Sequence, residues 1–311
     1  MPRRARPPFA RILAFALAAA APALAPGSWG GDAYRESVEQ FRRDREAMLK
    51  APDGWLSVAG LTWLRPGETV VGGAPSADVL LPAGSPPMVG TLTLGEGGQA
   101  SFRPEPGVAV LRDGQPFEGG PIRSDADGAK ADVLAVGDLR LILLKRGDRF
   151  ALRLKDNQSP TRRDFTGLRW FPVADEWRVV ARFTPHPLPT KITFETIVGG
   201  RDVLESPGYA TFERDGKSYR LDAALEDGRL WFVFRDATAG RTTPANARQL
   251  LAEAPVADQV ILDFNQAINL PCAYTPHATC PIAPPRNRLD LAITAGEKMY
   301  DPNPRSAFKL E

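Results

Sequence analysis

"GYATFERDGKSYRLDAALEDGRLWFVFRD", residues 208 to 236, decides the fold class. Apolar and polar residues alternate through it, and the alternation is broken twice, at Asp215-Gly216 and at Asp227-Gly228. An Asp-Gly pair between alternating runs is hairpin chemistry, because a two-residue turn needs positive φ at positions that Asp tolerates and Gly accepts freely. A period of two is a strand pattern, not a helical one. The stretch predicts a three-strand antiparallel meander from Tyr209 to Arg235.

The same pattern extends in both directions. "KADVLAVGDLRLILLKRGDRFALRLKD", residues 130 to 156, places Gly137-Asp138 and Gly147-Asp148 between runs whose buried faces are Leu139, Ile142, Leu144, Leu152 and Leu154. Before it, residues 55 to 114 hold short apolar or alternating runs separated by Gly, Pro, Asp and Ser, the spacing of a sandwich or barrel. Beyond Glu176, "WRVVARF", "TKITFETIV", "QVILDFN" and "RLDLAI" read as further strands. Residues 158 to 176 have no periodicity and carry Pro160, Gly167 and Pro172, so the crossing between units is placed there. The expected architecture is mainly β: two packed antiparallel β-sandwich or barrel-like domains, residues 51–157 and 158–311. An amphipathic helix over residues 32–50, with Tyr34, Val38, Phe41, Met48 and Leu49 on its apolar side, precedes them. A second short helix is expected over Ala245 to Ala254.

Residues 1–30 read as a secretory signal. Arg3, Arg4, Arg6 and Arg11 precede an apolar run from Ile12 to Ala25, which is shorter than the ~20 residues of a membrane span and contains Pro22. The expectation is an exported protein, periplasmic or extracellular, with no stable membrane insertion after cleavage. Lys and Arg total 39 against 37 Asp and Glu, and a chain so near neutrality is not expected to bind nucleic acid.

Cys272 and Cys280 are the two cysteines, with seven residues between them. That spacing is neither the two-residue spacing of a redox motif nor half of a four-ligand zinc site, so in an oxidising compartment a disulfide is expected. Pro271, Pro276, Pro281, Pro284 and Pro285 stiffen the same loop. His277 inside it is a candidate ligand contact, with a solvent-facing loop histidine as the plainer reading.

Three strand ends deliver polar side chains into loops. If "QVILDFNQ" is a strand, Asp263 and Asn265 share one face about 7 Å apart. Gly296 can turn the chain so as to present Glu297 and Lys298, and "FRDATAGRTT" ends an apolar strand with Asp236 and Arg241. Gathered in one cleft, Asp263 and Glu297 would serve as general base or metal ligands. Asp236, Arg241, Asn265, Lys298 and His277 would contact the ligand. No cofactor is predicted, although the carboxylates could take a divalent cation. Partners expected of such a cleft are a polar small molecule, a glycan or a peptide. Three functions follow: a binding or envelope-associated protein, a hydrolase-like enzyme using Asp263 and Glu297, or a structural protein whose polar strand ends satisfy the backbone. No G-x-S-x-G, P-loop, dinucleotide-binding or H-E-x-x-H pattern occurs.

"GWLSVAGLTWLRPGE", "FRDATAGRTT", "LDFNQAINLPCAYTPHATCPIAPPRNRL" and "AITAGEK" together resemble the motif blocks of an uncharacterised bacterial and archaeal family, domain of unknown function 1684, from about Gly54 to Tyr300. The resemblance implies that the Asp-Phe-Asn strand end, the proline loop and the Gly-Glu-Lys turn form one unit, and it implies no activity. "ETVVGGAPSADVLLP", residues 68 to 82, is similar to the opening of a forkhead-associated sandwich. Gly73 and Pro87 stand where such a domain would carry its phosphate-binding arginine and serine, so that resemblance implies fold alone.

Overall fold

The computed structural model describes residues 31–125 and 130–301. The predicted signal, residues 1–30, lies outside them. The chain is mainly β, in several largely antiparallel sheets with one long N-terminal helix. That helix, α1, spans Asp32–Lys50, the predicted bounds. Its buried face differs from the expected one. Val38 and Leu49 are buried together with Arg42 and Arg45, whereas Met48 is 65% exposed.

The first eleven strands form two sheets. They are β1 (Val58–Trp63), β2 (Gly67–Gly72), β3 (Val79–Leu80), β4 (Gly90–Leu94), β5 (Ala100–Pro104), β6 (Leu111–Arg112), β7 (Gln115–Pro116), β8 (Gly120–Ile122), β9 (Val133–Val136), β10 (Leu139–Arg146) and β11 (Arg149–Asp156). Six run in the order β1-β11-β10-β9-β6-β7 and five in the order β3-β2-β4-β5-β8. Leu134, Leu141, Leu143, Leu152 and Leu154 of the first sheet meet Val71, Leu92 and Phe102 of the second in one apolar cluster. Both glycine turns form as predicted: Val136 pairs with Leu139 across Gly137-Asp138, and Arg146 with Arg149 across Gly147-Asp148. The pairing of β2 with β3 is parallel.

The remaining strands are β12 (Arg178–Glu195), β13 (Arg201–Arg214), β14 (Lys217–Asp222), β15 (Ala224–Glu226), β16 (Arg229–Phe234), β17 (Arg248–Ala252), β18 (Gln259–Asp263) and β19 (Ile268–Asn269). They make sheets ordered β14-β13-β12-β18 and β15-β16-β17-β19. Phe183, Phe212 and Leu262 from one meet Phe232, Phe234 and Leu250 from the other around Phe264.

Four sequence expectations change here, the simplest being that "RLDLAI", residues 288 to 293, forms no strand. "WRVVARF" and "TKITFETIV" are one long strand, β12, whose register against β13 breaks between Pro185 and Thr190. Prolines cannot donate to the ladder, so "PHPLP" interrupts the pairing and divides the long hairpin into two halves. The near half packs through Phe183 and Phe212, and the far half places Phe194, Ile192 and Leu204 in a separate apolar cluster. The meander is also split. Both Asp-Gly turns form, with φ of 51° and 73° at the first and 48° and 77° at the second. However, β14 pairs with β13 and β15 pairs with β16, in different sheets. The chain changes sheets at Ala223, which is fully buried.

The helix expected over Ala245 to Ala254 is instead β17. Ala and Leu favour helix, but the strand ladder with β16 is the stronger term: burial alternates from Arg248 through Leu250 to Ala252, the period of a strand.

Candidate functional site

The polar strand ends are folded inward. Asp263 closes β18, and its carboxylate accepts hydrogen bonds from the Tyr34 hydroxyl of α1 at 2.9 and 3.0 Å and from the Asn265 amide at 3.1 Å. The Asn265 side chain donates to Tyr34 and to the Ala174 carbonyl, each at 2.9 Å, and accepts from the Ala174 amide. Burial raises the Asp263 pKa against the opposing hydrogen bonds of Tyr34 and Asn265. Burial likewise raises the Tyr34 phenol, with Asp263 reinforcing it.

Glu297 is 0% exposed. Its carboxylate accepts from the Tyr274 hydroxyl, from the Asn269 side chain at 2.6 Å and from the Asn269 amide at 3.1 Å, while Arg45 of α1 stands 3.8 Å away. Gly296 does turn the chain as expected, with φ of +79°. A Cβ there would stand 2.4 Å from the Ala267 carbonyl oxygen, so only glycine permits the approach. Burial raises the Glu297 pKa, ahead of the downward pull of Arg45, Tyr274 and Asn269.

Asp236 pairs at 2.5 Å with Arg248 of β17, whose guanidinium also donates to the carbonyls of Ala295 and Ile293 at 2.5 and 3.0 Å. Thr238 closes the other side of the carboxylate. Asp236, Asp263, Asn265 and Glu297 are therefore saturated by hydrogen-bonding groups inside the protein. Arg241 is exposed and donates to the Ala237 carbonyl, and the Lys298 ammonium lies over the Phe171 ring at 4.8 Å. His277 is half-buried in its loop, where its amide donates to Thr275. The expected cleft uniting these side chains does not form. Among the described residues, no three His, Cys, Asp or Glu side chains gather to hold a metal ion.

Cys272 and Cys280 are free thiols, not the expected disulfide. They are adjacent, the Cys272 amide donating to the Cys280 sulfur at 3.1 Å. Their mutual hydrogen bond lowers the Cys272 pKa and raises that of Cys280, and burial adds to the rise at Cys280.

A different cleft is present, with a volume of about 750 Å³. It lies between the outer face of the β10–β11 pair and the far half of the β12–β13 hairpin. Trp55, Phe194 and Trp231 supply aromatic wall, and Leu270, Pro271, Thr279, Cys280 and Pro281 bring the cysteine loop to its edge. Lys145, Arg146, Arg153 and Arg201 line it with Asp125, Asp202 and Glu226. Arg146 is engaged, donating to Asp125 at 2.8 Å and to Thr279 at 3.2 Å, which ties β10 to the loop. None of the seven residues expected to bind or react lines this cavity. The sequence reading missed it because its walls come from five separate segments, around Trp55, Asp125 to Arg153, Phe194 to Leu204, Glu226 to Gln249 and Leu270 to Pro281, and no local spacing marks such a meeting.

Residues 163–298 match the family described as "Protein of unknown function (DUF1684)". An uncharacterized protein of Haloarcula marismortui, solved by NMR, is 33% identical, over 45% of this chain and 80% of its own, with a TM-score of 0.37. The chain belongs to this family. No curated protein matches it. The FHA-2 domain of a Mycobacterium tuberculosis ABC transporter is similar at 21% identity over 29% of this chain and 77% of its own, with a TM-score of 0.22. The DUF1684 segment contains the three buried carboxylates and both cysteines. Trp55, Lys145, Arg146 and Arg153 precede it, so the cleft forms between the family segment and the sheets before it. Tyr34 and Arg45 also precede it, and they reach into the segment from α1.

Proposed function

We propose that this chain is an exported binding protein that holds a small molecule in the cleft between its two pairs of sheets. The cleft itself carries the reading. Its volume of about 750 Å³ falls in the range of small-molecule sites, and its lining sets aromatic wall beside charged side chains of both signs, groups that can orient a bound molecule. The hydrolase reading is not taken up, because the carboxylates it would use are engaged by Tyr34, Asn265, Tyr274, Asn269 and Arg45. Export rests on the arginines and apolar run of residues 3 to 25.

In an oxidising compartment Cys272 and Cys280 close as a disulfide. The Cys272 thiolate attacks the disulfide of an exchange catalyst, and Cys280 then displaces it, leaving the catalyst as a dithiol. The bond would fix the loop at the edge of the cleft. Native mass spectrometry of protein purified from its own host tests the function: a retained small molecule that is lost on unfolding is expected. A bare mass, with no change in melting temperature across a broad metabolite library, contradicts the proposal.

A further inference from the structure

We infer that the ligand is a small carboxylate with an apolar body, its carboxylate held by Arg153 and its body laid against the aromatic wall. The inference rests on the proposed binding role of the cleft and names what binds there.

Arg153 is the unusual residue of this wall. In β11 it alternates with Leu152 and Leu154, which face the core between the first two sheets, so strand geometry sends its side chain to the opposite face. That face lines the cleft. The residue is 7% exposed, and its Nε and Nη2 atoms are buried without a hydrogen-bond partner. Those two atoms form one edge of the guanidinium, the edge that grips a carboxylate through two parallel N–H···O bonds; it is covered in the ligand-free protein, so binding requires the side chain to turn this edge toward the cleft. A buried guanidinium is ordinarily paired, because an uncompensated charge away from water is costly.

The surroundings do not supply that pair. Asp125, whose charge acts on Arg153 without a hydrogen bond to it, is paired with Arg146 at 2.8 Å. Burial, with Arg146 beside it, lowers the Arg153 pKa to about 10, so the group stays cationic at neutral pH. Trp55 lies 5.0 Å from the Arg153 carbon and fixes the plane of the fork. Trp231, held by a 2.7 Å hydrogen bond from its indole to Gln249, packs with Phe194 at 5.5 Å between ring centres. A planar cation edge next to aromatic wall suits a ligand that carries one anionic end and one apolar end. Inorganic phosphate matches only the first.

The test is a tryptophan-fluorescence titration of the full chain with phenylacetate, its neutral amide phenylacetamide, and inorganic phosphate. Phenylacetate is expected to bind at least about tenfold more tightly than the amide or phosphate, since each charge-assisted bond is roughly twice as strong as a neutral one. Arg153→Met is expected to abolish that preference. It should also raise the melting temperature of the ligand-free protein by about 2 °C or more, because an uncompensated buried charge is replaced by an apolar chain. Arg153→Lys keeps the charge and loses the fork, and it too is expected to lose most of the phenylacetate affinity.

Equal binding of acid and amide overturns the inference and leaves the cleft as a neutral-ligand site. Phosphate binding as tightly as phenylacetate overturns the carboxylate assignment. Destabilisation by Arg153→Met with unchanged preference marks the residue as architecture and overturns it as well. No saturation by any of the three at millimolar concentration also overturns it, while the binding reading then stands or falls on the native mass spectrum.

Discussion

Asp236 and Arg248 each have side chains 1% exposed and are joined at 2.5 Å. Removing one partner leaves the other charge buried, so Asp236→Ala is expected to cost about 3–5 kcal/mol of unfolding free energy, read from the urea midpoint. The double variant Asp236→Leu with Arg248→Met is expected to be more stable than Asp236→Ala, since no lone charge remains. Glu297 supplies a pH signature. Its folded pKa is raised, so it holds a proton more tightly when folded. Its contribution to stability is then greatest in acid and declines as pH rises from the ordinary carboxylate value of about 4.3 through the raised one. Glu297→Gln does not titrate. Its melting temperature relative to the parent is expected to become more positive from about pH 4 to neutrality, and a difference that is flat with pH contradicts the assignment. The sequence named Asp236, Asp263, Asn265 and Glu297 as special, and the structure makes each of them a buried anchor. What it could not reveal was direction: an inward-facing carboxylate and a cleft-facing one have the same spacing until their partners are known.

The partners come from an element whose helical pattern was plain and whose face was not. α1 repeats at helical spacing, and its bounds are legible from the charges and Pro52. Arg42 and Arg45 look like solvated positions by composition, yet Arg42 donates to the Phe171 carbonyl at 2.8 Å and Arg45 to that of Asn269 at 3.1 Å. Long side chains bury their stems and deliver charge to buried acceptors, a choice that hydropathy alone does not record. The helix thus closes the polar end of the later sheets. Tyr34→Phe is expected to lower stability by about 1 kcal/mol or more through lost hydrogen bonds to Asp263 and Asn265, measured by urea unfolding. Among strands, turn chemistry was legible at Asp215-Gly216, Asp227-Gly228, Gly137-Asp138 and Gly147-Asp148 because it is local. The sheet change at Ala223 and the strand over Arg248–Ala252 were not, because partner choice depends on long-range packing.

At the scale of the whole molecule, the "PHPLP" break in β12 lets one hairpin serve two packing clusters, and its far half becomes a wall of the cleft. The cysteine loop, bridged to that half between Thr196 and Pro281, supplies the adjoining edge. If the loop is locked by oxidation, Cys280→Ala in the oxidised protein is expected to cost roughly 2–3 kcal/mol, and the unfolded, unreduced parent should show no free thiol. Fold class was readable because strand periodicity and glycine turns repeat along the chain. The cleft was not, since Trp55, Arg153, Phe194 and Trp231 come together only through tertiary packing. Function therefore turns on occupancy of that cleft. Its most direct measurement is a ¹⁵N NMR titration with phenylacetate that follows the Arg153 Nε–H and the tryptophan indole N–H signals. Progressive shifts at Arg153, Trp55 and Trp231, with Trp63 and Trp177 still, are the predicted result. Shifts confined to groups outside the cleft, or none at all, would contradict it.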